Sequence, residues 1–289
     1  MVGHTPVLTN EVIQFLDPKP GARFIDATFG AGGHSRAILE RTAPGGTVLG
    51  IDQDESALSR AAADFASFGS RIILAHCNFS DIAQLATRNG FLDCDGVLAD
   101  IGISSMMVDD ASRGFSFMRE GPLDMRMDRT KALTAAEVVN VYSEKEIADI
   151  LYTFGEERRS RPIARSIVRS RPLGTTTELV RAIERVTGGP RYRQIHPATR
   201  TFQALRIHVN DELSNLEKFL DSSMGVLRSG GRVVVITFHS LEDRIVKQKF
   251  RAPVVPGRVL TKKVVVASDE EVRANPRARS AKLRAWERS

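Results

Sequence analysis

The chain has 289 residues, 42% of them hydrophobic and 26% charged, with a formal net charge of +6. This composition is typical of a globular protein and excludes the disordered, collagenous and disulfide-scaffold classes. The longest apolar run, near residues 233–238, is too short to cross a bilayer, and the polar start lacks the apolar stretch of a secretory signal. We therefore expect a soluble, cytoplasmic protein without a membrane partner. Cys77 and Cys94 are too few for a structural zinc cluster or a disulfide framework, so we expect reduced cysteines and no metal.

Strands and helices alternate over the first hundred residues. Such alternation with short connections predicts an α/β fold whose parallel, doubly wound sheet is covered by helices on both faces. The strands are predicted at 23–28, 47–52, 71–76 and 95–100, and the helices at 34–41, 55–68 and 80–88.

The pattern changes after residue 105. Segments with helical periodicity follow one another, and no clear strand recurs until 230–238, after a long helix predicted at 198–227. The tail offers strands at 259–267 and 282–286. We therefore expect a discontinuous core, with residues 1–105 and 207–289 as its two parts and 106–206 as an inserted helical domain for substrate recognition.

Basic charge is concentrated in this helical segment. Between residues 158 and 206 there are twelve arginines and two glutamates, a local charge of +10 that leaves −4 for the rest of the chain. Arginine is suited to bidentate phosphate recognition and to stacking on bases, so the segment indicates a polyanionic partner, with a solvated helix face as the alternative. The residues that we expect to contact this polyanion are Arg158, Arg159, Arg161, Arg165 and Arg169.

A glycine-rich loop follows the first strand and points to an adenosine-containing cofactor. Its glycines, from Gly30 to Gly33, would let a ligand approach the backbone, and Asp52 ends the second strand, where an acid can accept both ribose hydroxyls. No lysine of a Walker A motif follows the loop, so phosphoryl transfer from ATP has no support. Ser35 stands where a dinucleotide-binding fold needs its third glycine, which argues against a dinucleotide. S-adenosylmethionine, which has no phosphate, fits better. Its amino-acid end would lie along residues 32–34 and its adenine near Phe79; a plain tight turn is the alternative.

Asp100 ends the fourth strand beside the expected methyl donor. The lone pair of an exocyclic base amine is delocalised into the ring, so an oxygen that accepts its N–H would help the amine to attack. We expect Asp100 to be that acceptor. A capping role and a cofactor contact remain open alternatives.

Ordered motifs extend over almost the whole chain. They are Thr5-Pro-Val-Leu, Asp26-Ala-Thr-Phe-Gly-Ala-Gly-Gly-His-Ser35, Asp52-Gln-Asp, Asp100-Ile-Gly-Ile-Ser-Ser, Arg113-Gly-Phe-Ser-Phe-Met, Gly121-Pro-Leu-Asp-Met-Arg-Met-Asp128, Gly155-Glu-Glu-Arg, His196-Pro-Ala-Thr-Arg-Thr-Phe-Gln-Ala-Leu-Arg-Ile, Phe238-His-Ser-Leu-Glu-Asp-Arg and Asn275-Pro-Arg-Ala-Arg-Ser-Ala-Lys-Leu-Arg. In these motifs the chain resembles the bacterial RsmH (MraW) family. The resemblance implies an S-adenosylmethionine-dependent methyltransferase that acts on the N4 amine of one cytidine in the decoding region of 16S ribosomal RNA. It also implies a Rossmann-like class I methyltransferase sheet with an inserted all-helical domain.

The resemblance also assigns site residues. By motif, the cofactor contacts are Gly32, Gly33, His34, Asp52, Phe79 and Asp100. Met107 is a further expected cofactor contact, and it stands where the family commonly has Gln. A thioether cannot replace the hydrogen bonds of an amide, so this contact would be apolar or through the backbone.

Aromatic and basic side chains alternate in the loop from residue 113 to 128. We expect Arg113, Phe115 and Phe117 to contact a splayed base and its phosphates, unless the two phenylalanines fill a core.

His239 follows the last long strand on the expected ligand side. We take it as a second candidate catalytic residue and as a candidate RNA contact, and we predict a capping box formed by Ser240 and Asp243. The expected partner is small-subunit ribosomal RNA in an assembled or assembling subunit, and a homodimer is left open. A nicotinamide-dependent oxidoreductase and a non-catalytic RNA-binding assembly factor are the competing functions.

Overall fold

The computed structural model describes residues 6–189 and 196–289. The chain divides into two compact units, of which one comprises Met1–Gly102 with Leu213–Ser289 and the other Ile103–Glu212. None of the helices within the described residues is long and apolar enough to cross a membrane.

The first unit is built on one eight-stranded sheet. Its order is β3-β2-β1-β4-β5-β8-β6, with β7 paired to β8; β1 to β5 are parallel, and β8 is antiparallel to its neighbours. The predicted α/β class, a Rossmann-like doubly wound sheet, is confirmed. The strands are β1 (Arg23–Asp26), β2 (Thr47–Asp52), β3 (Ile72–His76), β4 (Cys94–Asp100), β5 (Leu227–Thr237), β6 (Gly257–Val259), β7 (Val265–Val266) and β8 (Lys282–Arg288). The helices are α1 (Thr9–Leu16), α2 (Gly33–Arg41), α3 (Glu55–Asp64), α4 (Ile82–Asn89), α11 (Glu212–Gly225), α12 (Ser240–Arg251) and α13 (Asp269–Ala274), where the numbers α5 to α10 belong to the second unit.

The sheet is apolar on both faces. Along β5, Val233 and Val235 belong to one buried cluster, whereas Val234 and Ile236 belong to another. Successive side chains of a strand point to opposite faces, so a strand covered on both sides becomes a continuous apolar run. This is why the sequence shows such runs instead of alternating apolar and polar residues.

Within the described residues, the regular secondary structure of the second unit is helical. One buried cluster unites its helices, with Ile147, Ile163, Leu179 and Leu205 among its fully buried members. Two of the helices begin with a capping box, Ser143 with Glu146 and Thr175 with Glu178. Its helices are α5 (Ser105–Asp109), α6 (Ala135–Val141), α7 (Glu144–Gly155), α8 (Ser160–Arg169), α9 (Thr176–Thr187) and α10 (Ala198–Asn210).

Three local predictions were wrong. The segment 198–227 is two helices, α10 and α11, because Asp211 adopts a left-handed conformation with a φ of 50°. The tail strand at 259–267 is two short strands, β6 and β7. The helix that follows β5 begins at Ser240, and its capping box joins His239 to Glu242 instead of Ser240 to Asp243. Asp243 accepts hydrogen bonds from Arg284 at 2.7 and 3.2 Å.

Candidate cofactor and catalytic site

Three acidic residues end neighbouring parallel strands at one edge of the sheet. Asp26 ends β1, Asp52 ends β2 and Asp100 ends β4. The three strands are hydrogen-bonded in the order β2, β1, β4. Ligands of doubly wound sheets bind beyond the carboxyl ends of the strands, so this edge is the candidate site.

The glycine loop between β1 and α2 is shaped by tight packing. Gly32 has a φ of +75°, and a Cβ atom there would lie 2.5 Å from the Phe65 ring and 2.6 Å from the Phe29 ring. A Cβ on Gly33 would lie 2.8 Å from Pro6. Gly32 is therefore favoured by its left-handed backbone and by the neighbouring rings, whereas at Gly33 it is the contact with Pro6 that leaves no room for a side chain.

Asp52 links the second strand to this loop. Its Oδ2 accepts a hydrogen bond from the Gly30 amide at 2.7 Å, and its Oδ1 accepts one from the Asp54 amide at 2.8 Å. Each carboxylate oxygen has two acceptor positions, so both oxygens remain able to accept a further hydroxyl. The carboxylate is thus held in place and keeps the capacity that a ribose diol requires.

Burial raises the pKa of Asp52 to about 6, against the opposing effect of the amide hydrogen bonds from Asp54 and Gly30. The free protein therefore takes up a proton at Asp52 as the pH falls through 6, and the protonated carboxyl is the weaker acceptor for two hydroxyls.

We expect the affinity for S-adenosylmethionine to fall with the pH in this range. If binding requires the carboxylate, the dissociation constant at pH 5 should be about tenfold higher than at pH 7.5, because the proton must leave first. Calorimetric titration at several pH values measures this. Asp52→Asn should bind weakly with no such dependence. A dependence that persists in this variant would assign the titration to another group, such as Asp26, whose pKa burial also raises.

Two residues that sequence reasoning did not assign to the site hold its strand ends together. Ser35 Oγ donates to Asp26 Oδ2 at 2.6 Å, and burial raises the pKa of Asp26 against this hydrogen bond. Thr28 Oγ accepts a hydrogen bond from the Asp100 amide at 2.6 Å. Thr28 lies 72 residues from Asp100, so no local spacing indicates the contact. Ser35 therefore has a structural role where a dinucleotide fold would have glycine.

His34 and Asp100 face one another across the site. His34 Nε2 lies 3.6 Å from Asp100 Oδ2, and the His34 side chain is only 7% exposed. Within the described residues, both ring nitrogens of His34 and Oδ1 of Asp100 are buried without a hydrogen-bond partner. Buried polar atoms are nearly always paired, because leaving one unpaired costs about 1–3 kcal/mol. These three atoms are therefore available to a ligand.

Phe79 lies just after β3, at the same sheet edge. It is partly buried and meets the Phe219 ring edge-to-face at 5.3 Å. The preceding Asn78 caps this turn through the Ser80 amide and donates to Gln53 Oε1 at 3.2 Å. The structure thus brings Gly32, Gly33, His34, Asp52, Phe79 and Asp100 together within one unit.

Met107, Arg113, Phe115 and Phe117 lie in the helical unit instead. Met107 is 5% exposed and Phe115 7% exposed, and both belong to the core of that unit. Arg113 is also buried, and it donates to the carbonyl oxygens of Arg126 and Met127, each at 2.9 Å. The partly buried Phe117 stacks on His196 with a centroid distance of 4.7 Å. Phe115 therefore fills the core of this unit, as the alternative had it, instead of contacting RNA. Arg113 holds the loop together through its two carbonyl contacts.

The five predicted RNA-contacting arginines are all exposed. Arg161, Arg165 and Arg169 recur every fourth residue of α8, so they share one face of the helix. Arg165 pairs with Glu144 at 3.3 Å, whereas the side chains of the other four have no hydrogen bond or ion pair to a described residue. The arrangement presents a basic helix face to solvent.

His239 is the N-cap of α12. Its Nδ1 accepts from the Glu242 amide at 3.4 Å, and its Nε2 lies 2.9 Å from Glu242 Oε1. The ring is 10% exposed and caps α12 through its contacts with Glu242. A catalytic role for His239 stays a prediction.

Comparison with known proteins identifies relatives that match almost the whole of this chain. The family model described as the MraW methylase family matches residues 1–289. Ribosomal RNA small subunit methyltransferase H of Sorangium cellulosum is 51% identical over 288 residues, covering 99% of this chain and 90% of that protein. The protein of the same name from Thermomicrobium roseum is 50% identical over 305 residues, covering 99% and 93%. The crystal structure of PH0851 is 12% identical with a TM-score of 0.50, covering 97% of this chain and 45% of that one, and it shows a shared fold only.

Proposed function

The chain belongs to the MraW methylase family, and from that premise we propose that it methylates the N4 amine of one cytidine in the decoding region of 16S ribosomal RNA. The name carried by its relatives supports small-subunit ribosomal RNA as the substrate. The cofactor is S-adenosylmethionine, the methyl donor of a methylase family. The substrate particle is an assembled or assembling small subunit.

The residues at the sheet edge fit this cofactor. Asp52 accepts the two ribose hydroxyls, the loop from Gly32 to His34 holds the amino-acid end, and Phe79 lies against the adenine. When bound, the cofactor supplies a methyl group activated by a positively charged sulfur. His34 Nδ1, which is buried without a hydrogen-bond partner among the described residues, supports a polar ligand at this place.

Asp100 is the group that acts on the target amine. Its Oδ1 is buried and lacks a partner among the described residues, so it is ready to accept the N–H of the amine. This hydrogen bond favours a pyramidal nitrogen with an available lone pair, and the proton that the amine loses after methylation passes to the same oxygen. The unpaired Oδ1 beside His34 is the single observation that carries the proposal. His239, after β5 at the same edge, is the second candidate for contact with RNA.

The target base must leave its stack to reach Asp100. An enzyme that acts on a base atom works on a flipped or single-stranded nucleotide, so it needs affinity for the flanking backbone. The exposed arginines of the helical unit, from Arg158 to Arg169, supply that affinity. Because Arg113 and Phe115 are buried, the proposal for RNA contact rests on these arginines and on the partly buried Phe117.

We expect Arg158, Arg161 and Arg169 to carry RNA affinity without carrying chemistry. Changing all three to Gln should reduce the slope of log affinity against log salt by about 2–3, since each phosphate contact releases a counterion. Filter binding of 16S ribosomal RNA between low and moderate salt measures the slope. A slope as steep as that of the parent protein would make this face an ordinary solvated helix surface.

Methyl-labelled S-adenosylmethionine tests the function directly. The protein is incubated with 16S ribosomal RNA and with small subunits, and the labelled nucleotide is identified by nuclease digestion and mass spectrometry. N4-methylcytidine at one site in the decoding region supports the proposal. Label on another base, or RNA binding without transfer, would overturn it, and the second result would favour a non-catalytic assembly factor.

A further inference from the structure

The motif that begins at Asn275 has no part in the site described above. Residues 275–282 contain three basic side chains, Arg277, Arg279 and Lys282, and no acidic one. The segment belongs to the same unit as the catalytic sheet.

The strand pairing places this segment at the reactive edge of the sheet. Asp100 is paired with Ile236 of β5, and Ile236 is paired with Leu283 of β8. Leu283 is thus two strand spacings, about 10 Å, from Asp100. Because β8 is antiparallel to β5, Lys282 and the residues before it lie at the carboxyl end of β5, where the methyl acceptor must arrive.

The local structure directs the arginines outward. Residues Pro276–Ser280 form a 3₁₀ turn capped by Asn275, whose Oδ1 accepts from the Arg277 amide at 3.3 Å. Ala278 and Ala281 are each 1% exposed and pack into the buried cluster beneath. Arg277 and Arg279, on either side of Ala278, are exposed, and the Arg279 side chain has no hydrogen bond or ion pair to a described residue.

The segment is also anchored to the cofactor side of the unit. Glu271 Oε1, on the preceding α13, accepts a hydrogen bond from the Leu8 amide at 2.7 Å. Pro6, two residues before Leu8, packs against Gly33 at the place where a Cβ atom would lie. The arginine turn is therefore held to the same short N-terminal segment that packs on the glycine loop.

We propose that Arg277 and Arg279 bind phosphates of the RNA strand next to the target nucleotide and position it at Asp100. This inference rests on the proposed function and adds an RNA contact on the catalytic unit itself. A nucleotide that reaches Asp100 brings its neighbours within about two strand spacings, where the guanidinium groups of Arg277 and Arg279 can engage their phosphates. Arginine is the residue suited to bidentate phosphate contact.

The test is the double variant Arg277→Gln/Arg279→Gln. Its matched control is Arg41→Gln/Arg88→Gln, which removes two exposed arginines from the last turns of α2 and α4, at the opposite edge of the sheet. We expect the KM for 16S ribosomal RNA to rise about tenfold and the salt slope of RNA binding to fall by about 2. The rate at saturating RNA and the affinity for S-adenosylmethionine should stay within twofold, and the control should match the parent protein.

Equal KM and salt slope in the double variant and the control would overturn the inference. A defect seen with small subunits and absent with naked RNA would also overturn it, because the arginines would then contact a ribosomal protein. RNA binding is measured apart from methyl transfer. A parent protein that binds RNA without methylating it would refute the proposed function. The salt slopes of RNA binding would still decide whether Arg277 and Arg279 contact phosphates.

Discussion

Asp100→Asn should lower the single-turnover rate of methyl transfer by at least about 10²-fold, the lower range for a positioned acid–base group. The amide keeps the shape of the side chain and one acceptor oxygen, but it loses the charge that draws the proton from the target amine. We expect RNA binding to be largely retained, because the phosphate contacts come from arginines elsewhere. Rapid-quench assays at saturating cofactor measure the chemical step.

A matched control for this variant is Asp93→Asn. Asp93 is exposed just before β4, at the opposite end of the same strand, and its backbone has a φ of 57°, which Asn tolerates. This variant removes the same charge and should react at the parent rate. If Asp100→Asn also reacted at the parent rate, Asp100 would be structural. The next candidates would be His239 and Ser104, the residue that caps α5.

Asp52→Ala should weaken the binding of S-adenosylmethionine by about 10²-fold or more. Two hydrogen bonds to a carboxylate would be lost at about 1.5–3 kcal/mol each, and about 1.4 kcal/mol corresponds to a factor of ten. The variant also releases the Gly30 amide, so the glycine loop loses one of its ties to β2. Isothermal titration calorimetry measures the change.

Asp64→Ala is the control for this second variant. Asp64 is an exposed acid at the end of α3 in the same unit, and its removal changes the net charge equally. We expect the control to bind the cofactor with the parent affinity. A dissociation constant that is unchanged in Asp52→Ala would remove Asp52 from the site, whatever the pH dependence of binding.

The sequence by itself determined the α/β class and the positions of the acids at the strand ends. Continuous apolar runs predict strands buried on both faces, and Asp52 and Asp100 are recognisable because each directly follows such a run. The glycines of the loop are recognisable for a local reason too, since the positive φ at Gly32 is strained for other residue types. These features depend on residues close together along the chain.

Only the tertiary structure decided which side chains are exposed and which are already paired. Arg113 and Arg161 are equally basic in the sequence, yet Arg113 is buried on two carbonyl oxygens 13 and 14 residues away, whereas Arg161 faces solvent. Asp100, at the end of β4, contacts Thr28 in the loop after β1 and lies beside His34 of α2. Burial and pairing are set by groups far apart in sequence, which local periodicity does not record.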